Sequence, residues 1–244
     1  MNIAQNTVLI TGGASGIGWA FAERFLKAGN KVIICGRRAD KLEAIKNQYP
    51  QVHTRVADVG QEKDRLELYD WVKANFPEVN VLLNNAGIQR RVLLTQNDEP
   101  WSSHQSEIAI NLEAPIHLAL LFIPLLQQRT QAYIINVTSG LAFVPMAKAA
   151  VYSATKAALH SFTLSLRYQL NQTPIKVIEV APPAVNTDLG GPGLHTFGVP
   201  LAEFADAVME RLASGEEEIG YGTSEFSRKA SRAELQEVFK RMNL

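Results

Sequence analysis

The chain has 244 residues with 24 basic and 24 acidic side chains, so its formal net charge is zero. This length suits one α/β domain with a substantial core. Zero net charge argues against nucleic acid as the main partner, because neutralising phosphates requires a basic surface. The single cysteine, Cys35, excludes an intrachain disulfide, and its place at the end of an apolar run predicts a small buried side chain.

Short apolar, β-branched runs alternate with segments of helical periodicity along the chain. The predicted strands are 7–10, 31–35, 52–56, 79–83, 132–137, 175–180 and 218–221. The predicted helices include 17–28, 41–48, 62–76, 102–128 and 151–171. This alternation predicts an α/β fold, a Rossmann-type doubly wound parallel sheet of about seven strands with helices on both faces. The ligand of such a sheet binds beyond the carboxyl ends of the strands.

No repeat, low-complexity tract or linker divides the chain, so residues 1–244 are predicted to form one domain. The loop 188–200 lacks periodicity and contains four glycines, which predicts a flexible substrate lid. The most apolar stretch, 116–126, is shorter than the ~20 residues that span a bilayer. A strand already begins at Thr7, which leaves no room for a signal peptide. We therefore expect a cytoplasmic protein without a membrane partner.

A glycine-rich turn follows the first predicted strand and leads into the first predicted helix. It reads Thr11-Gly-Gly-Ala-Ser-Gly-Ile-Gly18, with the spacing Gly-x3-Gly-x-Gly on Gly12, Gly16 and Gly18. Glycines allow a tight turn close to a phosphate, and the first N–H groups of a helix attract an anion. The turn predicts a pyrophosphate site. The alternative is an ordinary tight turn between a strand and a helix.

Two arginines, Arg37 and Arg38, follow the second predicted strand. An acidic residue at this place binds the ribose 2′-hydroxyl of NAD, whereas arginine suits the 2′-phosphate of NADP. No acid occurs in this corner before Asp40. The sequence therefore predicts a preference for NADP(H), with NAD(H) as the alternative if the two arginines are only a solvated pair.

Three polar residues, Ser139, Tyr152 and Lys156, have the spacing Ser-x12-Tyr-x3-Lys. Tyr152 and Lys156 lie one turn apart on one face of a predicted helix, and Ser139 follows a predicted strand. Because a neighbouring ammonium favours the phenolate, we expect Lys156 to lower the pKa of Tyr152 from about 10. The triplet predicts a proton-transfer site. The alternative is a packed helix with an incidental tyrosine and lysine.

Asn111 lies in the longest predicted helix, four residues before Pro115. Proline has no N–H group to donate to the Asn111 carbonyl, so this carbonyl is predicted to be free to bind a water. The alternative is a plain proline kink with a solvent-filled groove.

Taken together, the glycine turn, the segment Asn84-Asn-Ala-Gly87, Asn111 and the Ser139/Tyr152/Lys156 triplet resemble the short-chain dehydrogenase/reductase family over essentially the whole chain. The segments 140–145, 181–187 and 218–222 are similar to those of the bacterial DltE-like oxidoreductases. The resemblance implies an NAD(P)-dependent enzyme acting on CH-OH groups, which moves a hydride between the nicotinamide and a carbonyl or secondary alcohol. It also implies a homodimer or homotetramer built through the two long helices.

The resemblance assigns roles to individual residues. The implied catalytic residues are Asn111, Ser139, Tyr152 and Lys156, with Tyr152 as general acid and base, Ser139 as donor to the oxyanion, and Asn111 as holder of a proton-relaying water. The implied dinucleotide-binding residues are Gly12, Ser15, Gly16, Ile17, Gly18, Arg37, Arg38, Asp58, Val59, Asn84, Asn85, Ala86, Gly87, Tyr152, Lys156, Val185 and Thr187. Pro182-Pro183 replaces the Pro-Gly usual in the family, which changes the backbone before Val185.

For the substrate, the sequence predicts only a broad chemical class. Gln89, Arg90, Arg91 and Lys148 could face an acidic group or only be solvated. A largely apolar pocket for a medium-sized carbonyl compound is predicted from Leu141, Phe143, Met146, Leu194, His195 and Phe197. No metal is expected, because His195 has no second ligand near it in sequence.

Two alternatives to this enzyme remain at the level of sequence. One is an NAD-dependent alcohol dehydrogenase of the same fold. The other is a non-catalytic dinucleotide sensor, although such relatives usually lose the tyrosine or lysine that this chain keeps. The tail 228–244 has helical periodicity without a predicted partner.

Overall fold

The computed structural model describes residues 1–96 and 98–244, and its strands form one parallel sheet. The strand order is β3-β2-β1-β4-β5-β6-β7. The strands are β1 (Thr7–Thr11), β2 (Lys31–Gly36), β3 (His53–Val56), β4 (Val81–Asn84), β5 (Ala132–Val137), β6 (Ile175–Ala181) and β7 (Glu218–Gly220). The predicted doubly wound sheet of about seven strands is confirmed, and no strand end differs from its prediction by more than two residues.

Helices connect the strands and cover both faces of the sheet. Those in the described part of the chain are α1 (Gly16–Lys27), α2 (Ala39–Gln48), α3 (Glu62–Asn75), α4 (Trp101–Ile108), α5 (Ala114–Leu126), α6 (Ala150–Gln169), α7 (Leu201–Ser214), α8 (Thr223–Lys229) and α9 (Arg232–Met242). Because side chains alternate along a strand, each strand supplies two cores. On β1, Val8 and Ile10 pack with Phe21 of α1, whereas Leu9 packs with Phe122 of α5.

The predicted helix 102–128 is one helical stretch, Trp101–Leu126, with a π-helical turn at Ala109–Glu113. The first N–H after this turn donates to the carbonyl five residues earlier, instead of four. Pro115, which cannot donate, stands immediately beyond. Turns of this kind are frequent at functional sites. This one carries the buried side chain of Asn111.

Within the described residues, Trp101–Leu126 is the helix long and apolar enough to cross a membrane, with a mean hydropathy of 1.8. Length and composition alone are weak evidence for a span, because core helices of soluble proteins share them. Leu118, Phe122 and Leu126 are fully buried against the sheet. Leu120, on another side of the helix, is 59 % exposed. The stretch therefore supplies the core and leaves Leu120, as well as Trp101 at its start, uncovered.

The C-terminal tail has a partner that its periodicity did not predict. Asn243, just after α9, accepts a hydrogen bond from the Ala147 N–H at 2.6 Å and donates from Nδ2 to the Pro145 carbonyl at 3.1 Å. These contacts join segments about a hundred residues apart in sequence, which no local pattern reveals. They place α9 beside the segment between β5 and α6.

Candidate active site

The glycine turn between β1 and α1 packs against the segment that follows β4. Gly12 has a φ of +64°, a conformation that favours glycine. A Cβ on Gly18 would lie 2.4 Å from the Gly12 carbonyl oxygen and 2.5 Å from Asn85 Nδ2, so no side chain fits there. Thr11 Oγ1 accepts hydrogen bonds from the Asn85 and Ala86 N–H groups, each at 3.0 Å. The two segments are thereby joined at the switch point of the sheet, where ligands of this fold bind.

A cavity of about 1380 Å³ runs along the carboxyl ends of the strands. Most of the predicted site residues line it: Gly12, Ser15, Gly16, Ile17, Arg37, Arg38, Asp58, Val59, Asn85, Ala86, Gly87, Ser139, Tyr152, Lys156, Val185 and Thr187. Gly18 lies beneath the turn, and Asn84 and Asn111 line a separate small cavity. Ligand pockets usually measure roughly 300–1,000 Å³. The larger cavity therefore has room for more than a small substrate.

Basic side chains gather at one end of this cavity, where Arg37, Arg38 and Lys41 line it. Arg38 Nη2 donates to Ser15 Oγ at 2.6 Å, which joins the corner after β2 to the glycine turn. Ser15 stands at the N-cap of α1 without making a side-chain capping bond. The first N–H groups of α1 are thus left for an anion.

The serine and the tyrosine of the triplet meet as their spacing predicts. Ser139 follows β5 and caps the 3-10 turn Gly140–Ala142, where its Oγ accepts from the Leu141 N–H at 3.1 Å. Its side chain is also close enough to the Tyr152 phenol to lower the pKa of that group, and Tyr152 enters from the first turns of α6. Both side chains are buried and both line the large cavity. A carbonyl oxygen placed between them would meet two hydroxyl groups.

Burial governs the ionisation of the tyrosine and the lysine. It raises the pKa of Tyr152 to about 12, against the opposing hydrogen bond from Ser139 and with a further upward contribution from the Glu107 carboxylate. Burial lowers the pKa of Lys156 to about 8. Lys156 Nζ donates to the Val137 carbonyl at 2.8 Å and lies 5.7 Å from the centre of the Tyr152 ring. The net shift of the Tyr152 pKa is therefore upward, opposite to the predicted lowering, because burial disfavours the charged form more than its neighbours favour it.

Asn111 lies between the loop after β4 and helix α6. Its Oδ1 accepts from the Ile88 N–H at 2.9 Å, and its Nδ2 donates to the Ile88 carbonyl at 2.8 Å and to Thr155 Oγ1 at 3.3 Å. It shares with Pro115 a small cavity of about 10 Å³. That volume is close to the minimum for one water. The side chain is thus fully engaged, while the water expected at the backbone carbonyl stays a prediction.

The other end of the large cavity is where a substrate would lie. Its walls include Leu141, Val144, Met146, Leu194, Phe197, Val238 and Met242. Arg90 lines it but pairs with Glu99 at 3.0 Å, and Arg91 Nη2 lies 3.3 Å from His195 Nε2 of the loop 188–200. One predicted pocket residue lies elsewhere, and for Lys148 the alternative of a solvated side chain holds. Phe143 packs against His160, and the exposed Lys148 precedes α6, which begins only at Ala150.

Several site residues were missed at the level of sequence. Thr11 could have been found, because a hydroxyl immediately before the glycine turn is a local signal. Glu107 is buried one helical turn before Asn111, and its Oε1 accepts from the Arg90 N–H at 3.0 Å. Burial raises the pKa of this carboxyl group. Only the tertiary fold brings α9 to the cavity, through Val238, Arg241 and Met242. Among residues 1–96 and 98–244, no three His, Cys, Asp or Glu side chains lie close enough to hold a metal.

A buried phenol, hydroxyl and ammonium at the switch point of a doubly wound sheet define a Rossmann-type oxidoreductase. The short chain dehydrogenase family matches residues 6–194 of the chain. The chain is also 44 % identical over 248 residues to the uncharacterized oxidoreductase DltE of Bacillus subtilis (strain 168). This match covers 100 % of the chain and 98 % of DltE. It belongs to the short-chain dehydrogenase/reductase family, and the predicted oxidoreductase class is confirmed.

Solved structures share the fold at low sequence identity. A short chain dehydrogenase from Burkholderia cenocepacia J2315 in complex with NADP has a TM-score of 0.86 at 24 % identity, over 99 % of each chain. A short chain dehydrogenase/reductase from Burkholderia phymatum in complex with NAD has a TM-score of 0.82 at 18 % identity, over 100 % of this chain and 97 % of that one. These likenesses bear on the fold alone.

Proposed function

We propose that this chain is an NADP(H)-dependent oxidoreductase that moves a hydride between the nicotinamide and a carbonyl or secondary alcohol, with Tyr152 as general acid and base. The observation that carries the proposal is the meeting of the Tyr152 phenol with the Ser139 hydroxyl, in the same cavity as the glycine turn. Fold neighbours bound to NADP or NAD support a nicotinamide dinucleotide. The dinucleotide supplies or accepts the hydride.

The chain offers a cradle that fits a dinucleotide. The uncapped N-terminus of α1 suits the pyrophosphate, beside Gly12, Ser15, Gly16 and Ile17. Gly18 acts beneath them by allowing close packing. The adenine would lie near Asp58 and Val59, and the neighbouring wall is formed by Asn85, Ala86 and Gly87, with Asn84 behind it. Tyr152 and Lys156 would hold the nicotinamide ribose, and Val185 and Thr187 its carboxamide.

The preference for NADP(H) rests on Arg37 and Arg38, which line the basic end of the cavity. A guanidinium group binds a phosphate through paired hydrogen bonds, which the 2′-hydroxyl of NAD cannot match. Titration calorimetry should show tighter binding of NADPH than of NADH. In the Arg37→Gln/Arg38→Gln variant this difference should shrink by about tenfold or more, and an unchanged ratio would contradict the preference.

In the direction of reduction, this chain's residues deliver a proton to the substrate oxygen. A pKa of about 12 keeps Tyr152 protonated, which is the form that can donate. The Ser139 hydroxyl would hydrogen-bond the same oxygen as negative charge develops on it. Lys156 is held by the Val137 carbonyl, and its ammonium would stabilise the phenolate that remains. A water in the small cavity beside Asn111 would return the proton through Lys156.

Tyr152→Phe tests this assignment directly. The variant should bind NADPH nearly as the wild type does and lose about two orders of magnitude or more in turnover. Tyr168→Phe is the matched control, because this tyrosine lies on the same helix and is 80 % exposed. Near-wild-type turnover by Tyr152→Phe would overturn the mechanism.

A panel of ketones, aldehydes and 3-oxoacyl thioesters, followed through the nicotinamide absorbance, tests the competing function. A non-catalytic sensor would bind the dinucleotide and turn over no member of the panel. The retention of both Tyr152 and Lys156 in the cavity favours the enzyme.

The loop 188–200 is proposed as a substrate lid within one domain. It lines the cavity with Leu194, His195 and Phe197, and Phe197 is 71 % exposed. His195 is buried, and burial lowers its pKa, so the ring is neutral near pH 7. We propose that the partner is a small organic molecule, bound without a metal by a cytoplasmic enzyme.

We propose further that the chain forms a homodimer or homotetramer. Leu120 of α5 and Leu164 of α6 are large apolar side chains exposed by 59 % and 40 %, and such positions favour an interface. Sedimentation at micromolar concentration should give a mass of two or four chains. A clean monomer would contradict the proposal.

A further inference from the structure

A buried carboxylate lies one strand away from Ser139 and takes no part in the proposed hydride chemistry. Glu179 on β6 is 2 % exposed. Its Oε1 accepts from Thr138 Oγ1 at 2.6 Å, and its Oε2 lies 2.8 Å from His160 Nδ1. A buried carboxylate that loses its partner is strongly destabilising. The three side chains therefore hold one another in place.

This group reaches both ends of the segment that carries Ser139. At one end, Thr138 directly precedes the serine, and its backbone N–H donates to the Val180 carbonyl at 2.8 Å. At the other end, the Phe143 ring meets the His160 ring edge to face, with the ring centres 4.9 Å apart. Ser139 lies between these two anchors. So does Leu141, which lines the substrate end of the cavity.

Helix α6 couples these anchors to the phenol. Tyr152, Lys156 and His160 follow one another at intervals of four, so they lie along one face of the helix. The helix that presents the phenol to Ser139 thus also holds the segment on which Ser139 lies. Movement of His160 would change the distance between the two hydroxyl groups that must meet the substrate oxygen.

Other charges around His160 do not replace this pairing. Like Glu179, Glu218 of β7 raises the pKa of the His160 imidazole, whereas Arg167 of α6 lowers it. Arg167, however, already pairs with Glu218 at 2.6 Å. The imidazole is therefore the group available to Glu179 Oε2.

We propose that His160 and Glu179 are positioning residues, which hold the segment 138–143 so that the Ser139 hydroxyl meets the Tyr152 phenol. They touch neither the substrate nor the dinucleotide. The inference rests on the proposed function, since positioning matters only if Ser139 and Tyr152 act on a substrate oxygen.

Three variants test the role of His160. His160→Leu removes the nitrogen, and should lower kcat about tenfold or more through misplacement of the serine, with the Kd for NADPH changed by less than about threefold. His160→Asn retains an N–H group close to the place of Nδ1 but loses the ring that meets Phe143, and should recover part of the lost turnover. Glu179→Gln alters the same pair at the carboxylate. It keeps the shape of the side chain and should also lower kcat less than His160→Leu does.

Thr163→Val is the matched control on the same helix. Thr163 is fully buried, accepts from Asn136 Nδ2 at 2.9 Å and donates to the Leu159 carbonyl at 2.7 Å, and neither partner belongs to the segment 138–143. This variant should lower the Tm without lowering kcat. Turnover of the two variants is compared with each assayed the same number of degrees below its own Tm. If kcat of His160→Leu then equals that of Thr163→Val, the positioning role is wrong.

Hydrogen exchange separates failure of this inference from failure of the proposed function. The Gly140 N–H donates to the Pro182 carbonyl, and the Leu141 N–H donates to Ser139 Oγ. Both amides should exchange faster in His160→Leu and remain unchanged in Thr163→Val, whether or not a substrate is known. Unchanged exchange in His160→Leu would overturn the inference. Absence of turnover in the wild type, with the exchange effect present, would instead refute only the proposed function.

Discussion

Asn111 holds both backbone groups of Ile88, accepting from its N–H at 2.9 Å and donating to its carbonyl at 2.8 Å. An amide side chain can do both at once because it carries a donor and an acceptor side by side. Asn111 sits in the π-helical turn, so the irregular helix supports the loop that begins the substrate end of the cavity. The residue therefore has a structural task besides any part in proton transfer.

Asn111→Asp should separate those tasks. The variant keeps the acceptor and loses the donor, which leaves the Ile88 carbonyl without its partner in a site only 1 % exposed. We expect the free energy of unfolding to fall by about 1–3 kcal/mol, with a loss of turnover, as measured by urea denaturation and steady-state kinetics. Asn75→Asp is the control, since Asn75 donates to a helix carbonyl at an exposed site. Equal effects in both variants would contradict the assignment.

Gly18→Ala should abolish dinucleotide binding through its effect on the turn. The added methyl group would lie 2.4 Å from the Gly12 carbonyl oxygen, which no Cβ tolerates, so the turn must shift. Gly29→Ala is the control: its φ is +81°, but nothing lies within 4 Å of the added carbon. That change should cost roughly 1 kcal/mol from backbone strain and leave NADPH binding intact. Calorimetry on both variants decides, and tight binding by Gly18→Ala would count against the packing argument.

The pH dependence of reduction should follow Lys156, whose pKa burial lowers to about 8. Below that pH the ammonium is charged and supports the phenolate left on Tyr152. Above it the charge is lost, so kcat/KM for reduction should fall as the pH rises through about 8. Lys156→Met should lack this inflection, whereas the exposed Lys148→Met should keep it. A flat profile for the wild type between pH 6 and pH 9 would contradict the prediction.

Lys156→Met should also stabilise the fold at neutral pH. The folded-state pKa of this lysine lies below its ordinary value of 10.5, so the folded state binds its proton less readily than the unfolded state. Burial of the charge therefore costs stability below about pH 8, and this cost disappears as the pH rises toward the unfolded value. Thermal unfolding at pH 7 should give a higher Tm for the variant than for the wild type. A lower Tm would show that the hydrogen bond to the Val137 carbonyl outweighs the burial of the charge.

Asn243→Ala should loosen the C-terminal helix over the substrate end of the cavity. Asn243 joins the end of α9 to Ala147 and Pro145 through side-chain hydrogen bonds, and α9 contributes Val238 and Met242 to the wall. We expect KM for the carbonyl substrate to rise about threefold or more with little change in kcat. The Kd for NADPH should stay constant. Asn171→Ala, at a surface turn after α6, is the control, and equal kinetics in the two variants would exclude a role for the tail.

Local patterns were sufficient for the sheet and for most of the dinucleotide end. Alternating apolar runs and helical periodicity predict β1 to β7 because burial on two faces imposes a residue pattern that is visible along the chain. Gly12, Gly16 and Gly18 were predictable for a similar reason, since their spacing follows from the local geometry of a turn. The spacing of Tyr152 and Lys156 likewise places both on one helical face.

Ionisation and long-range contacts were not predictable in this way. The pKa of Tyr152 depends on how completely the fold buries it, and the neighbouring lysine in the sequence suggested the opposite direction. The segment 228–244 carried only a helical period, because the partners of Asn243 lie about a hundred residues earlier. Phe143 was predicted to line the substrate pocket, yet its ring packs against His160.

The family, the sheet and most of the residues at its carboxyl edge were predictable from the amino-acid sequence, because they follow from periodicity and short-range spacing. Three features came only from the folded chain: the depth at which Tyr152 and Lys156 are buried, the place of α9 along the cavity, and the contacts of Glu179 with Thr138 and of His160 with Phe143. Those features arise from packing between distant segments, and the free energy of a buried charge depends on all of its neighbours at once.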